Sequence, residues 1–226
     1  MRAWKIVCSL WLAGGLVVAA ARADDPKEED FYRITTFGTP PGNVLEAGAF
    51  NVMSNGRLAV ATRRGEIWMI DKPLGSEVTA SNFRRFAHGL HEPLGLAERD
   101  GWLYVTQRSD VSRLRDTSGD GIADDYEIVG DGWEISGDYH EYAFGSKFDK
   151  DGRIWVVLCL TGSFSSEVPY RGWCLRVTPE GETIPTTYGL RSPGGIAFNA
   201  VANVWCAFTT CNINLNDLDS ASTYIE

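Results

Sequence analysis

Apolar and polar residues alternate along most of this chain, in short runs of four to six positions that end at a turn. Leu58 and Val60 share one face of such a run, Leu103 and Val105 of a second, and Ile154, Val156 and Leu158 of a third; a period of two is the mark of β-strands. Each run follows a tight turn signal, Asn55-Gly56, Asp100-Gly101 or Asp151-Gly152, where glycine tolerates the positive φ that hairpin turns demand. Further strands are predicted at Glu66–Asp71 and Gly172–Pro179. No segment beyond the N-terminal apolar run sustains a helical period of 3.6.

The pattern repeats. Four stretches, Glu46–Thr62, Glu92–Gln107, Tyr142–Leu158 and Ser192–Phe208, share one order: a small or turn residue, an apolar pair, a turn, then an alternating strand. Their turn positions Gly56, Gly101, Gly152 and Asn203 lie 45, 51 and 51 residues apart. Short strands with a repeat near 50 residues predict an all-β fold of β-propeller type, in preference to a β-sandwich, which would not keep this spacing. Residues 45–211 accommodate about four blades, residues 24–44 form a lead-in, and residues 212–226 do not read as a closing strand. The expectation is an incomplete propeller.

Composition changes the picture at the N-terminus. Arg2 and Lys5 precede an apolar run from Ile6 to Ala21, followed by Ala21-Arg22-Ala23, the three-part layout of a secretory signal peptide over residues 1–23. The expected location is periplasmic or secreted, with no membrane span once the signal is removed. Three of the 21 basic residues lie in that segment, so 18 face 30 acidic residues in the remainder. That excess of negative charge argues against a nucleic-acid partner. Four cysteines follow the signal: Cys159, Cys174, Cys206 and Cys211. Cys159 and Cys174 flank a hairpin-like excursion and could form a cross-strand disulfide or stay as two buried thiols. No CxxCH haem attachment motif occurs.

Three places carry candidate chemistry. From Asp116, positions 1, 3, 5, 7, 9 and 12 are Asp116, Ser118, Asp120, Ile122, Asp124 and Glu127, with Gly121 at position 6. This is the spacing of a twelve-residue Ca2+ loop, Ile122 giving its carbonyl and Glu127 both carboxylate oxygens; an acidic hairpin without an ion is the alternative. His140, between Asp138 and Glu141, is a candidate general base or a hydrogen-bonded structural histidine. Arg191 precedes a Ser192-Pro-Gly-Gly turn, where its planar fork could bind a carboxylate or pack over neighbouring turns. His88 and His91 read as turn or rim residues. GxSxG, P-loop and GxGxxG motifs are absent.

Four stretches, 88–127, 136–156, 171–181 and 188–199, together resemble the membrane-bound dehydrogenase domain of planctomycete-type bacteria. That family is distantly related to the soluble glucose and sorbosone dehydrogenases that use pyrroloquinoline quinone (PQQ). The resemblance implies a six-bladed propeller, secreted or periplasmic, that oxidises a hydroxyl group of a sugar or alcohol. It implies His140 as the base and Arg191 and Ser192 as cofactor contacts, with electrons passed to an external acceptor such as a cytochrome. Ser192 stands where the family pattern has Asn and offers one hydroxyl in place of an amide's paired donor and acceptor. Further cofactor contacts in that family come from later blades. The alternative from another class is a non-catalytic, calcium-stabilised propeller-like module that binds a glycan or protein, with Trp133, Tyr139, Tyr142 and Trp173 near the candidate turns.

Overall fold

A computed structural model of the chain describes residues 25–138, 140–160, 167–199, 204–209 and 223–225. The expected signal peptide, Asn203, Cys211 and nearly all of the 212–226 tail lie outside them. The chain divides into two units, Met1–Thr35 and Thr36–Glu226. Of the first, the described part holds one 3-10 turn, Glu28–Asp30, closed by the Asp30 carboxylate accepting the Lys27 backbone N–H at 2.9 Å.

The second unit is a run of antiparallel four-stranded meanders, as the repeat predicts. β1 (Ala47–Val52), β2 (Leu58–Thr62), β3 (Glu66–Ile70) and β4 (Phe83–Ala87) form the first blade in that order. β5 (Gly95–Arg99), β6 (Trp102–Thr106), β7 (Val111–Arg115) and β8 (Asp125–Gly130) form the second. β9 (Ala143–Phe148), β10 (Ile154–Leu158), β11 (Trp173–Val177) and β12 (Thr183–Tyr188) form the third. β13 (Pro193–Asn199), β14 (Val204–Thr209) and β15 (Thr223–Ile225) begin a fourth. Among the described residues there is no α-helix, and no helix long and apolar enough to cross a membrane.

The three turn signals sit at the β1–β2, β5–β6 and β9–β10 hairpins, with φ of 82° at Gly56, 81° at Gly101 and 83° at Gly152. The alternation seen in sequence understates burial, because blades pack face to face and their middle strands are covered on both sides. In β2, Ala59 and Ala61 join one core with Ile67, Met69, Leu96, Leu103, Val105 and Leu114, while Val60 joins another with Ile70 and Val78. In β10, Ile154, Val156 and Leu158 pack towards the second blade, and Trp155 and Val157 towards Ile196 of the fourth. Each leucine- or isoleucine-sized side chain so buried contributes roughly 1.5–3 kcal/mol. Phe37 of the lead-in packs on the Val60 cluster, and Gly38 N–H donates to the Val78 carbonyl at 2.8 Å.

The inner strands β1, β5, β9 and β13 contact one another in succession. β5 and β9 run parallel and meet at Gly95 and Gly145, fusing the second and third blades into one eight-stranded sheet. A Cβ on Gly95 would stand 2.7 Å from the Gly145 carbonyl oxygen, so the backbones touch where a side chain would intervene. Buried Thr106 and Ser146 hydroxyls, 2.6 Å apart, stitch the same point. Gly95→Ala is expected to destabilise the protein by about 1–3 kcal/mol through this overpacking. Gly195→Ala, whose Cβ meets nothing within 4 Å, is expected to shift stability by no more than about 0.5 kcal/mol. Urea denaturation of both variants checks the contrast.

Candidate active face

Strands of a meander alternate direction, so their connections alternate between two ends of the blade. The end from which β5 and β9 set out therefore gathers the described residues of the connections at 63–65, 88–94, 107–110, 131–138 with 140–142, 159–160 with 167–172, and 189–192. His140 and Arg191 both lie at this end. The Asp116 loop, between β7 and β8, lies at the other. The structure thus brings together two of the three candidate sites and separates the third.

His140 sits on the long β8–β9 connection, which is held by an unusual number of polar contacts. Glu141 is fully buried, and its carboxylate accepts the Ser136 N–H at 2.7 Å, the Ser136 hydroxyl at 2.8 Å and the Gly137 N–H at 3.1 Å. Buried Arg171 donates to the Glu141 carbonyl at 3.1 Å and the Tyr142 carbonyl at 3.4 Å. Arg108 donates to the Asp138 carbonyl, and the Trp133 indole N–H donates to the Arg108 carbonyl at 2.9 Å. On this anchored loop the His140 side chain is 40% exposed, its Nδ1 lying 3.9 Å from the Asp138 carboxylate. A fixed backbone under a solvent-reachable imidazole is the arrangement a proton-transfer residue needs.

Arginines crowd the same end. Glu92 bridges Arg63 at 3.2 Å and Arg108 at 2.9 Å, and both guanidinium groups lie within 6 Å of the Tyr142 ring centre. Burial acts to raise the Glu92 carboxyl, but the two guanidinium partners outweigh it and hold the group below its ordinary value. Arg171 is pushed down to about 10, foremost by burial. Arg191 donates to the Leu160 carbonyl at 3.1 Å and to the Ser192 hydroxyl at 3.4 Å. Two donors, Arg108 Nε and Arg171 Nε, are buried with no hydrogen-bond partner. Buried donors left over in this way are rare in proteins and mark capacity for an acceptor from outside the chain. Sequence reading singled out Arg191 and passed over Arg63, Arg108, Arg171 and the buried Glu141. The available signal was positional, an arginine within three residues of a strand end at four turns on one side of the repeat.

The aromatic candidates divide. Trp133 is buried beneath Arg108, Tyr142 underlies the arginines, and Trp173 stacks on Tyr188; Tyr139 lies outside the described residues. His88 and His91 are exposed on the β4–β5 connection, in keeping with rim positions.

At the opposite end the Asp116 loop closes on itself. Asp116 accepts the Gly119 and Gly121 N–H groups at 2.7 Å each and the Ser118 hydroxyl at 3.1 Å. Asp124 accepts the Thr117 N–H at 2.8 Å, its hydroxyl at 2.9 Å and the Ser118 N–H at 3.1 Å, while Asp120 accepts from Ile122 N–H at 2.8 Å. Glu127, the twelfth position, lies in β8 and pairs with Arg113 at 2.5 Å. Among the described residues no three His, Cys, Asp or Glu side chains converge as a metal-binding group. Ala123 N–H donates to the Phe86 carbonyl at 2.7 Å, tying the loop to the first blade. A cavity at this end, about 230 Å³, is lined by Arg99, Tyr104, Arg113 and Phe148 among others; its arginines are committed to Asp100 and Glu127.

Cys159 and Cys174 are free thiols, both buried. Val157 is the residue opposite Cys174, so Cys159 is its diagonal neighbour, at a spacing too long for a disulfide. Burial pushes Cys159 up to about 11 and Cys174 up to about 12, which makes both poor nucleophiles.

Hydrogen bonds from backbone N–H groups hold Asp116 and Asp124 below the ordinary carboxyl value, that of Gly121 leading for the first and that of Thr117 for the second. A depressed folded value means that the contribution is complete above the unfolded pKa of about 4 and is lost as pH falls through the lower folded one. The Asp116→Asn variant is accordingly expected to lose less thermal stability than the parent between pH 5 and pH 2. Melting curves across that range, with equal slopes as the contrary result, decide it.

The fold belongs to the class of propellers seen in quinone-dependent sugar dehydrogenases. A Carbohydrate-Active Enzymes family AA12 protein from Trichoderma reesei superposes with a TM-score of 0.62 at 14% identity, covering 85% of this chain and 53% of that one. The PQQ-bound aldose sugar dehydrogenase of Streptomyces coelicolor gives 0.55 at 18% identity, over 77% and 58%. The PQQ domain of a pyranose dehydrogenase from Coprinopsis cinerea gives 0.56 at 11% identity, over 76% and 47%. At these identities the likeness is one of fold, and the chain spans about half the length of these proteins. No curated protein matches the sequence. Residues 76–213, more than half of the chain, match a family described as a domain of unknown function (DUF7133), and the chain belongs to that family.

Proposed function

We propose that this chain is part of a PQQ-dependent sugar or alcohol dehydrogenase propeller, exported to the periplasm or beyond the cell, that oxidises a hydroxyl group. The observation that carries the reading is the convergence, at one end of the blades, of an exposed imidazole on an anchored loop with Arg63, Arg108, Arg171 and Arg191. PQQ bears three carboxylates, and guanidinium groups are the side chains best matched to them. The buried, unpartnered Nε–H groups of Arg108 and Arg171 fit such a polyanion. When bound, the quinone supplies a two-electron acceptor for hydride from the substrate carbon.

The chain's own residues supply the rest. His140 takes the hydroxyl proton, its Nδ1 lying 3.9 Å from the Asp138 carboxylate. Arg191 and Ser192 orient the cofactor from the start of the fourth blade, and the anchoring by Glu141 and Arg171 keeps the base from moving as charge develops. A soluble acceptor such as a cytochrome removes the electrons. The Asp116 loop has a structural role: its carboxylates already hold the backbone turn, and a Ca2+ ion would gather the full twelve-position set only after Glu127 leaves Arg113.

The test is a PQQ titration of the purified full chain, with and without Ca2+, followed by tryptophan fluorescence and by aldose-dependent reduction of a redox dye. Saturable quenching is expected. His140→Gln should retain binding within about twofold and lose at least about 100-fold in dye reduction, the usual size of a general-base contribution. Arg191→Ala should weaken binding about tenfold or more, the loss of a charge-assisted hydrogen bond. A folded chain that shows no quenching, or His140→Gln with undiminished turnover, overturns the reading.

A further inference from the structure

Beside Arg191, but facing the outer strands of the third blade, lies a cavity of about 210 Å³. Among the described residues its walls are Leu160, Arg171, Trp173, Tyr188, Leu190 and Arg191, with Gly172 and Gly189 between them and no carboxylate. Trp173 and Tyr188 lie with ring centres 5.0 Å apart at 37°, and Tyr170 stands edge-on to Trp173 at 6.0 Å. Tyr188 is 72% exposed, so the aromatic wall is open to solvent.

Arg171 is the unusual member. It is only 4% exposed, its terminal nitrogens are held by the Glu141 and Tyr142 carbonyls, and its Nε–H has no partner. Within the chain Glu141 is the carboxylate that acts on it, and with Arg191 it gives the cavity wall a cationic character. Gly172, with φ of 77°, brings the backbone so close that a Cβ there would stand 2.7 Å from the Leu190 carbonyl oxygen. At Gly189 an added Cβ meets nothing within 4 Å.

We infer that this cavity binds a carboxylate-bearing sugar, a hexuronic acid or the uronate end of an acidic glycan. The carboxylate is met by Arg171 and Arg191, and the ring's apolar face lies on Trp173 and Tyr188. Aromatic rings give a flat apolar platform for the C–H face of a pyranose, and a guanidinium selects its carboxylate. Neither group alone would separate a uronate from a neutral hexose or from a simple anion; both together do. The inference gives Arg171 and Arg191, which the dehydrogenase reading assigns to the quinone, a second ligand, and it needs no quinone.

The experiment is calorimetric titration of the full chain, without PQQ, with glucuronate, galacturonate, glucose and acetate. Glucuronate or galacturonate is expected to bind saturably in the millimolar range, with glucose and acetate at least tenfold weaker. Tyr188→Ala, an exposed change that leaves the fold intact, should weaken uronate binding at least fivefold. Trp173→Phe should weaken it less. Equal affinity for glucose, binding that is unchanged in Tyr188→Ala, or no uronate binding by the folded chain overturns the proposal. Because PQQ is absent throughout, a negative result here leaves the quinone titration standing, and a negative quinone titration leaves this one standing.

Discussion

The molecule turns on the contact between β5 and β9, where the backbones of Gly95 and Gly145 touch with no side chain between them. Four antiparallel strands per blade bring the chain back to the same end before each new inner strand, so β5 and β9 run parallel. The loops that carry His140 and Arg191 therefore emerge together, although 51 residues separate them. Nothing about either residue's own neighbourhood dictates this shared end; the four-strand count of each blade does.

Given that geometry, the β8–β9 connection has to be held without regular structure, and polar anchoring does it. Glu141 collects three donors at one end of the loop, Arg171 clamps the following carbonyls, and Arg108 clamps the preceding one. Buried charges of this kind cost desolvation, and removing one partner leaves the other uncompensated. A loop fixed at such cost, carrying an imidazole that remains half open to solvent, is consistent with a site that must keep a proton acceptor in one place.

Much of the fold was legible in sequence because each relevant signal is local. Asn55-Gly56, Asp100-Gly101 and Asp151-Gly152 each specify a hairpin from two residues, and their spacing specifies the repeat. What was not legible depends on packing between blades. The strands β2 and β10 are buried on both faces only because blades stack, which a period of two does not reveal. Arg171 looks in sequence like a surface residue before Gly172-Trp173, and Glu141 like a polar neighbour of His140; both are buried, and only the third dimension pairs them. The Asp116–Glu127 spacing was legible as a pattern, yet the folded chain gives Glu127 to Arg113 across the β7–β8 pair, a partner 14 residues away that the loop's own spacing cannot anticipate.

The central claim is that one end of the propeller carries the quinone site and the other is structural. Amide hydrogen exchange, with and without PQQ, tests it residue by residue. The account predicts slowed exchange at 131–142 and 189–192 on addition of PQQ, with the Asp116–Asp124 loop unchanged. Protection confined to that loop, or none at either end, would contradict it.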